Sequence, residues 1–189
     1  GQYSSQAIVN GHPAISYYDA DNNDLKFVRA TDASGTNWGS PVFADSIVAV
    51  GMYSSMAVVD GNPAMSYWDV LNSNLKYVRA TDASGTSWGS PMTLDSAGSV
   101  GLYTSLAVVD GRPAISYFDE SNLDLKYVRA TDATGTSWET PVSVAGPSND
   151  GKYSTLVVIA GHPAISRPHP SGILYSRALD AEGTNWPYP

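Results

Sequence analysis

The chain has 189 residues, 42% hydrophobic and 15% charged, with 18 Asp and Glu against 10 Lys and Arg and a net charge of −8. That is enough apolar residue for one domain with a real core, and too acidic a balance for a protein that displaces counterions from nucleic acid or docks on anionic lipid. The absence of cysteine removes disulfides, thiolate zinc sites and thiol nucleophiles.

One stretch, Gly101 to Trp138, reads GLYTSLAVVDGRPAISYFDESNLDLKYVRATDATGTSW, and the same text starts at Gly1, at Gly51 and, with changes, at Gly151. Taken in chain order, each copy opens with an alternating apolar strand, residues 103–109 in the third copy. Asp110-Gly111 follows, a pair suited to the positive φ angles of a tight hairpin turn. Residues 113–118 form a second strand, with Pro113 at its start, where a missing N–H is tolerated. Residues 119–124 are a polar loop and 125–130 a third strand. A turn over 131–136 leads to Trp138, which is expected to open a fourth strand running to about Val144. A Gly- and Ser-rich link then reaches the next copy.

Four short antiparallel strands leave two apolar faces that one unit cannot bury alone, and tandem units bury them by stacking. The expected fold is therefore all-β: a β-propeller of four-stranded antiparallel blades, read as one domain over 1–189, with blades at 1–50, 51–100, 101–150 and 151–189, the last truncated. An open linear stack is the alternative architecture. For the assembly, a monomeric ring is the first expectation and a homodimer completing a larger ring the second.

The turn before each tryptophan carries a family likeness. Thr31-Asp32-Ala33-Ser34-Gly35-Thr36-Asn37-Trp38 recurs at Asp82/Gly85/Trp88, Asp132/Gly135/Trp138 and Asp180/Gly183/Trp186. It resembles the Asp-box, or BNR, repeat of sialidase-like propellers, Ser-x-Asp-x-Gly-x-Thr-Trp, with one extra residue between Asp and Gly and with Thr and its neighbour exchanged before Trp. The likeness implies a propeller blade and leaves activity open, because such propellers host enzymes, lectins and scaffolds. Independently of the family, an Asp can accept the N–H groups of its own turn, Gly supplies positive φ, and the Trp ring locks the turn to the strands.

Candidate functional residues were weighed against framework roles. Sialidases bind a carboxylate with three arginines, but Arg29, Arg79, Arg129 and Arg177 recur at one repeat position, which favours structural pairing. Only Arg112 and Arg167 stand outside that pattern. His12 and His162 share a turn slot with Asn62 and Arg112, and His169 is isolated, so neither a metal site nor a Ser–His–Asp site is supported. Asp19-Ala20-Asp21-Asn22-Asn23 opens like a calcium loop but lacks its glycine and closing glutamate. No metal or cofactor is expected. The better candidates lie on one rim: Tyr3, Tyr53, Tyr103 and Tyr153 near the start of each first strand, and Tyr18/Asp19, Trp68/Asp69 and Phe118/Asp119 at the following loop. Aromatic faces beside carboxylates are what sugar binding uses. The expectation is a non-enzymatic binding or scaffold propeller, secreted or at the cell surface, with carbohydrate or another protein as partner and no nucleic acid or membrane insertion. A multivalent lectin is its specific form, and a sialidase-like glycosidase is disfavoured.

Overall fold

The computed structural model describes residues 1–47, 49–146 and 151–187. The expected link at 147–150 and the last two residues lie outside this set. The described residues form four antiparallel sheets. The first holds β1 (Gln2–Val9), β2 (His12–Asp19), β3 (Asp24–Arg29) and β4 (Val42–Asp45). The second holds β5 (Val50–Val59), β6 (Asn62–Asp69), β7 (Asn74–Arg79) and β8 (Met92–Asp95). The third holds β9 (Val100–Val109), β10 (Arg112–Asp119), β11 (Asp124–Arg129) and β12 (Val142–Ala145), and the last β13 (Thr155–Ile159), β14 (His162–His169) and β15 (Gly172–Arg177). Each sheet is a meander paired in sequence order.

The hairpin turns have the geometry their sequence requires. Asn10-Gly11, Asp60-Gly61, Asp110-Gly111 and Ala160-Gly161 all have positive φ at both positions, the conformation whose twist matches the flanking strands. The fourth strand departs from expectation. Trp138 makes only an isolated bridge to Ala130, and β12 begins four residues later. Pro141 lies between them and has no N–H to give a ladder; Pro41 and Pro91 stand at the same point in the earlier copies.

The sheets pack face to face through their first strands, in the order β1, β5, β9, β13. One hydrogen bond repeats at each of the three junctions. Ser5, Ser55 and Ser105 accept the Met56, Leu106 and Leu156 N–H through Oγ, each at 3.0 Å. The ring of Phe27, Tyr77 or Tyr127 meets Trp88, Trp138 or Trp186 of the next sheet edge-on, at 5.3, 5.0 and 5.4 Å between centroids. Burying each such ring contributes about 1.5–3 kcal/mol, with about 0.5–1.5 kcal/mol more from the edge-to-face geometry. The repeat glycines allow this approach: a Cβ on Gly101 (φ 96°) would lie 2.6 Å from Leu75 Cα.

The first two junctions also hold ion clusters. Lys76 Nζ sits 3.6 Å from Asp45 and 3.5 Å from Asp69, and Lys126 Nζ 3.4 Å from Asp95 and 2.8 Å from Asp119. Tyr67 and Tyr117 donate to the Asp45 and Asp95 carboxylates at 2.6 and 2.7 Å. At the third junction the whole set changes together: Ala145, Arg167, His169 and Leu174 stand where Asp, Tyr, Asp and Lys stood. Arg167 is buried and donates to Ser176 Oγ at 2.9 Å.

Candidate functional site

Tyr3, Tyr53, Tyr103 and Tyr153 converge where the four first strands meet. Consecutive rings lie 4.5, 4.3 and 4.3 Å apart. With Ser4, Ser54, Thr104 and Ser154 they line an open mouth of about 200 Å³. Each tyrosine has a φ between 51° and 56°, a left-handed backbone that costs a residue with a side chain roughly 1–2 kcal/mol. Four repeats of the same cost at one place mark the mouth as a feature held by its surroundings. What holds it is visible: β5 and β9 shift register across Tyr53 and Tyr103, and the Ser54 and Thr104 hydroxyls donate to the carbonyls of Tyr3 and Tyr53 at 2.9 and 2.8 Å.

The phenols form a chain. Burial first, then hydrogen bonds with Tyr53 and Tyr153, push the Tyr103 phenol well above the ordinary 10. Tyr3 is raised too, by burial and then by Tyr53. Tyr3 and Tyr103 are therefore poor phenolate nucleophiles.

Of the other rim candidates, Tyr18, Asp69, Phe118 and Asp119 are buried, and Asp19 and Trp68 are half-buried. Tyr18, Trp68 and Phe118 back the mouth tyrosines at 6.4, 6.1 and 6.5 Å. Tyr18 donates to Asn23 at 2.5 Å. The Trp68 Nε1–H is buried and has no acceptor among the described residues. The carboxylates face lysine: Asp19 pairs with Lys26 at 2.5 Å, and that hydrogen bond, then the one from Asn22, hold it down to about 2. Hydrogen bonds from Lys126 and Asn122 lower Asp119 despite its burial.

Asp124 was not singled out by sequence, and it differs from these. Its carboxyl is pushed up by burial, although Ser143 donates to Oδ2 at 2.5 Å, and Oδ1 is buried without a hydrogen-bond partner among the described residues. Asp124 pairs across the sheet with Asp119, whose charge adds to the upward push. The only sequence signal was variation at one repeat position, Asp24, Asn74, Asp124 and Gly172.

The recurring arginines have the framework role expected of them. Arg29 donates to the Val9 and Asn10 carbonyls at 2.8 and 3.0 Å, and Arg79, Arg129 and Arg177 brace the same hairpin turn in their own sheets. His12 and His162 each place Nδ1 2.9 Å from a carbonyl, of Ala30 and Ala178, and a carbonyl can only accept. The turn aspartates gather backbone N–H groups: Asp132 accepts from Thr134 and Gly135 at 2.9 Å and from Ser137 at 2.8 Å, while Trp138 Nε1 donates to Gly135 O at 2.8 Å. Among the described residues no cluster of three His, Asp or Glu side chains could hold a metal ion, and no helix is long and apolar enough to cross a membrane.

No family model and no curated protein matches the chain. Solved structures do. An exo-β-1,3-galactanase from Phanerochaete chrysosporium superposes with a TM-score of 0.66 at 11% identity, over 98% of this chain and 48% of that one. A family 117 glycoside hydrolase from Zobellia galactanivorans gives 0.57 at 15% identity, over 98% and 67%. The NanB sialidase from Streptococcus pneumoniae gives 0.59 at 15% identity, over 86% and 26%. The chain thus spans about half the galactanase. The class these likenesses define is the β-propeller.

They also correct the functional expectation. A non-enzymatic binding or scaffold propeller, with a lectin as its specific form, is overturned by a set of neighbours made of glycoside hydrolases and a sialidase. That expectation read the recurring arginines as framework and the recurring tyrosines as a binding rim, and it disfavoured a glycosidase because only Arg112 and Arg167 stand outside the repeat pattern.

Proposed function

We propose that the chain is the propeller of a secreted glycosidase-type enzyme, and that the tyrosine-lined mouth seats the sugar ring. The observation that carries this reading is the position of four convergent aromatic faces at the meeting point of the first strands, in a fold shared over 98% of the chain with a galactanase. On this reading the four sheets are blades of about 50 residues each and their Asp–Gly–Trp turns are degenerate Asp-boxes.

Glycoside hydrolysis ordinarily uses one protonated and one ionised carboxyl group, separated in pKa by their surroundings. Asp124, pushed up by burial, is the group suited to donate a proton to a leaving oxygen. Asp119, paired with it across the sheet and held down by hydrogen bonds from Lys126 and Asn122, is the neighbouring carboxylate suited to stay ionised.

A panel of aryl glycosides and β-1,3-linked galacto-oligosaccharides tests the reading. Hydrolysis is expected, with Asp124→Asn lowering kcat about 100-fold or more and removing the alkaline fall in rate. Tyr103→Ala raises KM. A panel on which nothing is cleaved, with the chain folded, ends the glycosidase reading.

A further inference from the structure

The two outermost faces of the array are the two halves of a junction that the molecule builds three times internally. On the last sheet, Ile173 occupies the position of Leu25, Leu75 and Leu125. Those leucines are 0%, 0% and 1% exposed; Ile173 is 80% exposed. Tyr175 occupies the position of Phe27, Tyr77 and Tyr127, each 2% exposed, and is 53% exposed. Thr155 and Ser166 stand where Ser5 and Ser16 meet the next sheet, and both are exposed. On the first sheet the complementary parts are also open. Trp38, whose counterparts cover an aromatic ring, is 40% exposed, and Gly35 beneath it finds only its own Pro13 and Trp38 within 4 Å. Ser4 is exposed where Ser54 reaches across to the preceding sheet. Tyr17 and Lys26 stand where Tyr67 and Lys76 meet the preceding Asp45.

We propose that these two faces are the walls of a seat for one further blade of the same repeat type. The occupant brings an aromatic residue on its third strand to lie under Trp38, and an Asp–Gly–Trp turn to cover Tyr175. It also brings an Asp at the end of its fourth strand, to meet Tyr17 and Lys26. Four sheets closing on themselves would bury Trp38 and Tyr175 against each other, and both are exposed. The seat is narrow at the axis, because Tyr3 and Tyr153, from the first and last sheets, line the same mouth. That favours a single blade over a second four-sheet chain. Gln6, in place of Met56, Leu106 and Leu156, makes this junction more polar than the internal three; its backbone N–H occupies the position that donates across each of them.

The proposal is independent of any catalytic activity, and so is its test. A chain in which a second copy of residues 51–100, which carries Asp95 at the end of its fourth strand, is placed ahead of Gly1 supplies the fifth blade between the last and first sheets, and a second version places a copy of residues 1–50, with Asp45, there instead. Each is compared with the original by thermal melting, sedimentation and acrylamide quenching, with Trp38→Phe used to isolate the Trp38 signal. In the longer chains, Trp38 quenching is expected to fall at least threefold, the melting midpoint to rise, and the protein to stay monomeric. Tyr175→Ser is expected to erase the rise in midpoint there while leaving the original chain's midpoint almost unchanged. Equal quenching of Trp38 in long and original chains overturns the proposal. So does failure of both duplications to fold, or a concentration-dependent dimer of the original chain that shields Trp38 and is lost in Tyr175→Ser, which would make a second copy the occupant.

Discussion

The second and last sheets share a repeat text but not an environment. The second has a neighbour on each face, so Tyr77 is covered by the Gly135 turn and donates to the Thr134 carbonyl at 3.0 Å, and its Lys76 bridges two buried carboxylates. The last has a neighbour on one face only: Tyr175 is exposed and its ion cluster is replaced residue by residue. Position in the repeat therefore sets what a side chain can do, and the adjacent sheet sets what it contributes.

Substitutions at matched positions should expose that difference, and the largest effect is expected at the close approaches. Gly101→Val places atoms on Leu75 backbone and on a positive φ, and should cost more than about 4 kcal/mol in urea unfolding. Gly172→Ala, with nothing within 4 Å, should cost only the backbone penalty of about 1–2 kcal/mol. Next, Tyr77→Ala should lose about 3–5 kcal/mol, and Tyr175→Ala under about 1 kcal/mol. If the two tyrosines cost the same, the contrast between an inner and an outer sheet is wrong.

Lys76→Met leaves Asp45 and Asp69 buried without a cation and should cost about 3 kcal/mol. Adding Asp45→Ala, as nature has at Ala145, should recover part of that loss. The smallest effect concerns acid. Hydrogen bonds from Ser34 and the turn backbone hold Asp32 below its ordinary 3.8. For Asp132 burial pushes upward, but the Thr134 and Thr136 bonds outweigh it, and Asp82 and Asp180 are also lowered. A depressed folded value means stability present above 3.8 and lost as pH falls through the folded value. The melting midpoint should therefore be flat from pH 7 to about 5 and fall below about 4. Asp132→Asn should lower the plateau slightly and shrink the acid drop.

Much of the framework was legible beforehand. Asp110-Gly111 announced a hairpin turn, Pro113 a strand start, and Asp132, Gly135 and Trp138 a closed turn, because each depends on neighbours within a few residues. The fourth strand was misplaced because Trp138 has strand-like composition, whereas Pro141 decides where the ladder resumes. Among the candidate residues, the four tyrosines were singled out by their recurrence, and the structure adds the left-handed backbone at each of them. Asp69 and Asp119 looked like rim carboxylates, yet each is buried against a lysine of its own sheet. Asp124 was invisible because its raised value comes first from burial, which is not written locally, with the charge of Asp119 only adding to it.

The sequence by itself determined the unit: its length, its strands, its tight turns and the residues that recur. Those follow from alternation, turn chemistry and backbone angles, which act over short stretches of chain. Only the tertiary structure decided which faces are covered and where the tyrosines meet, because burial and cross-sheet hydrogen bonds depend on residues some fifty positions away.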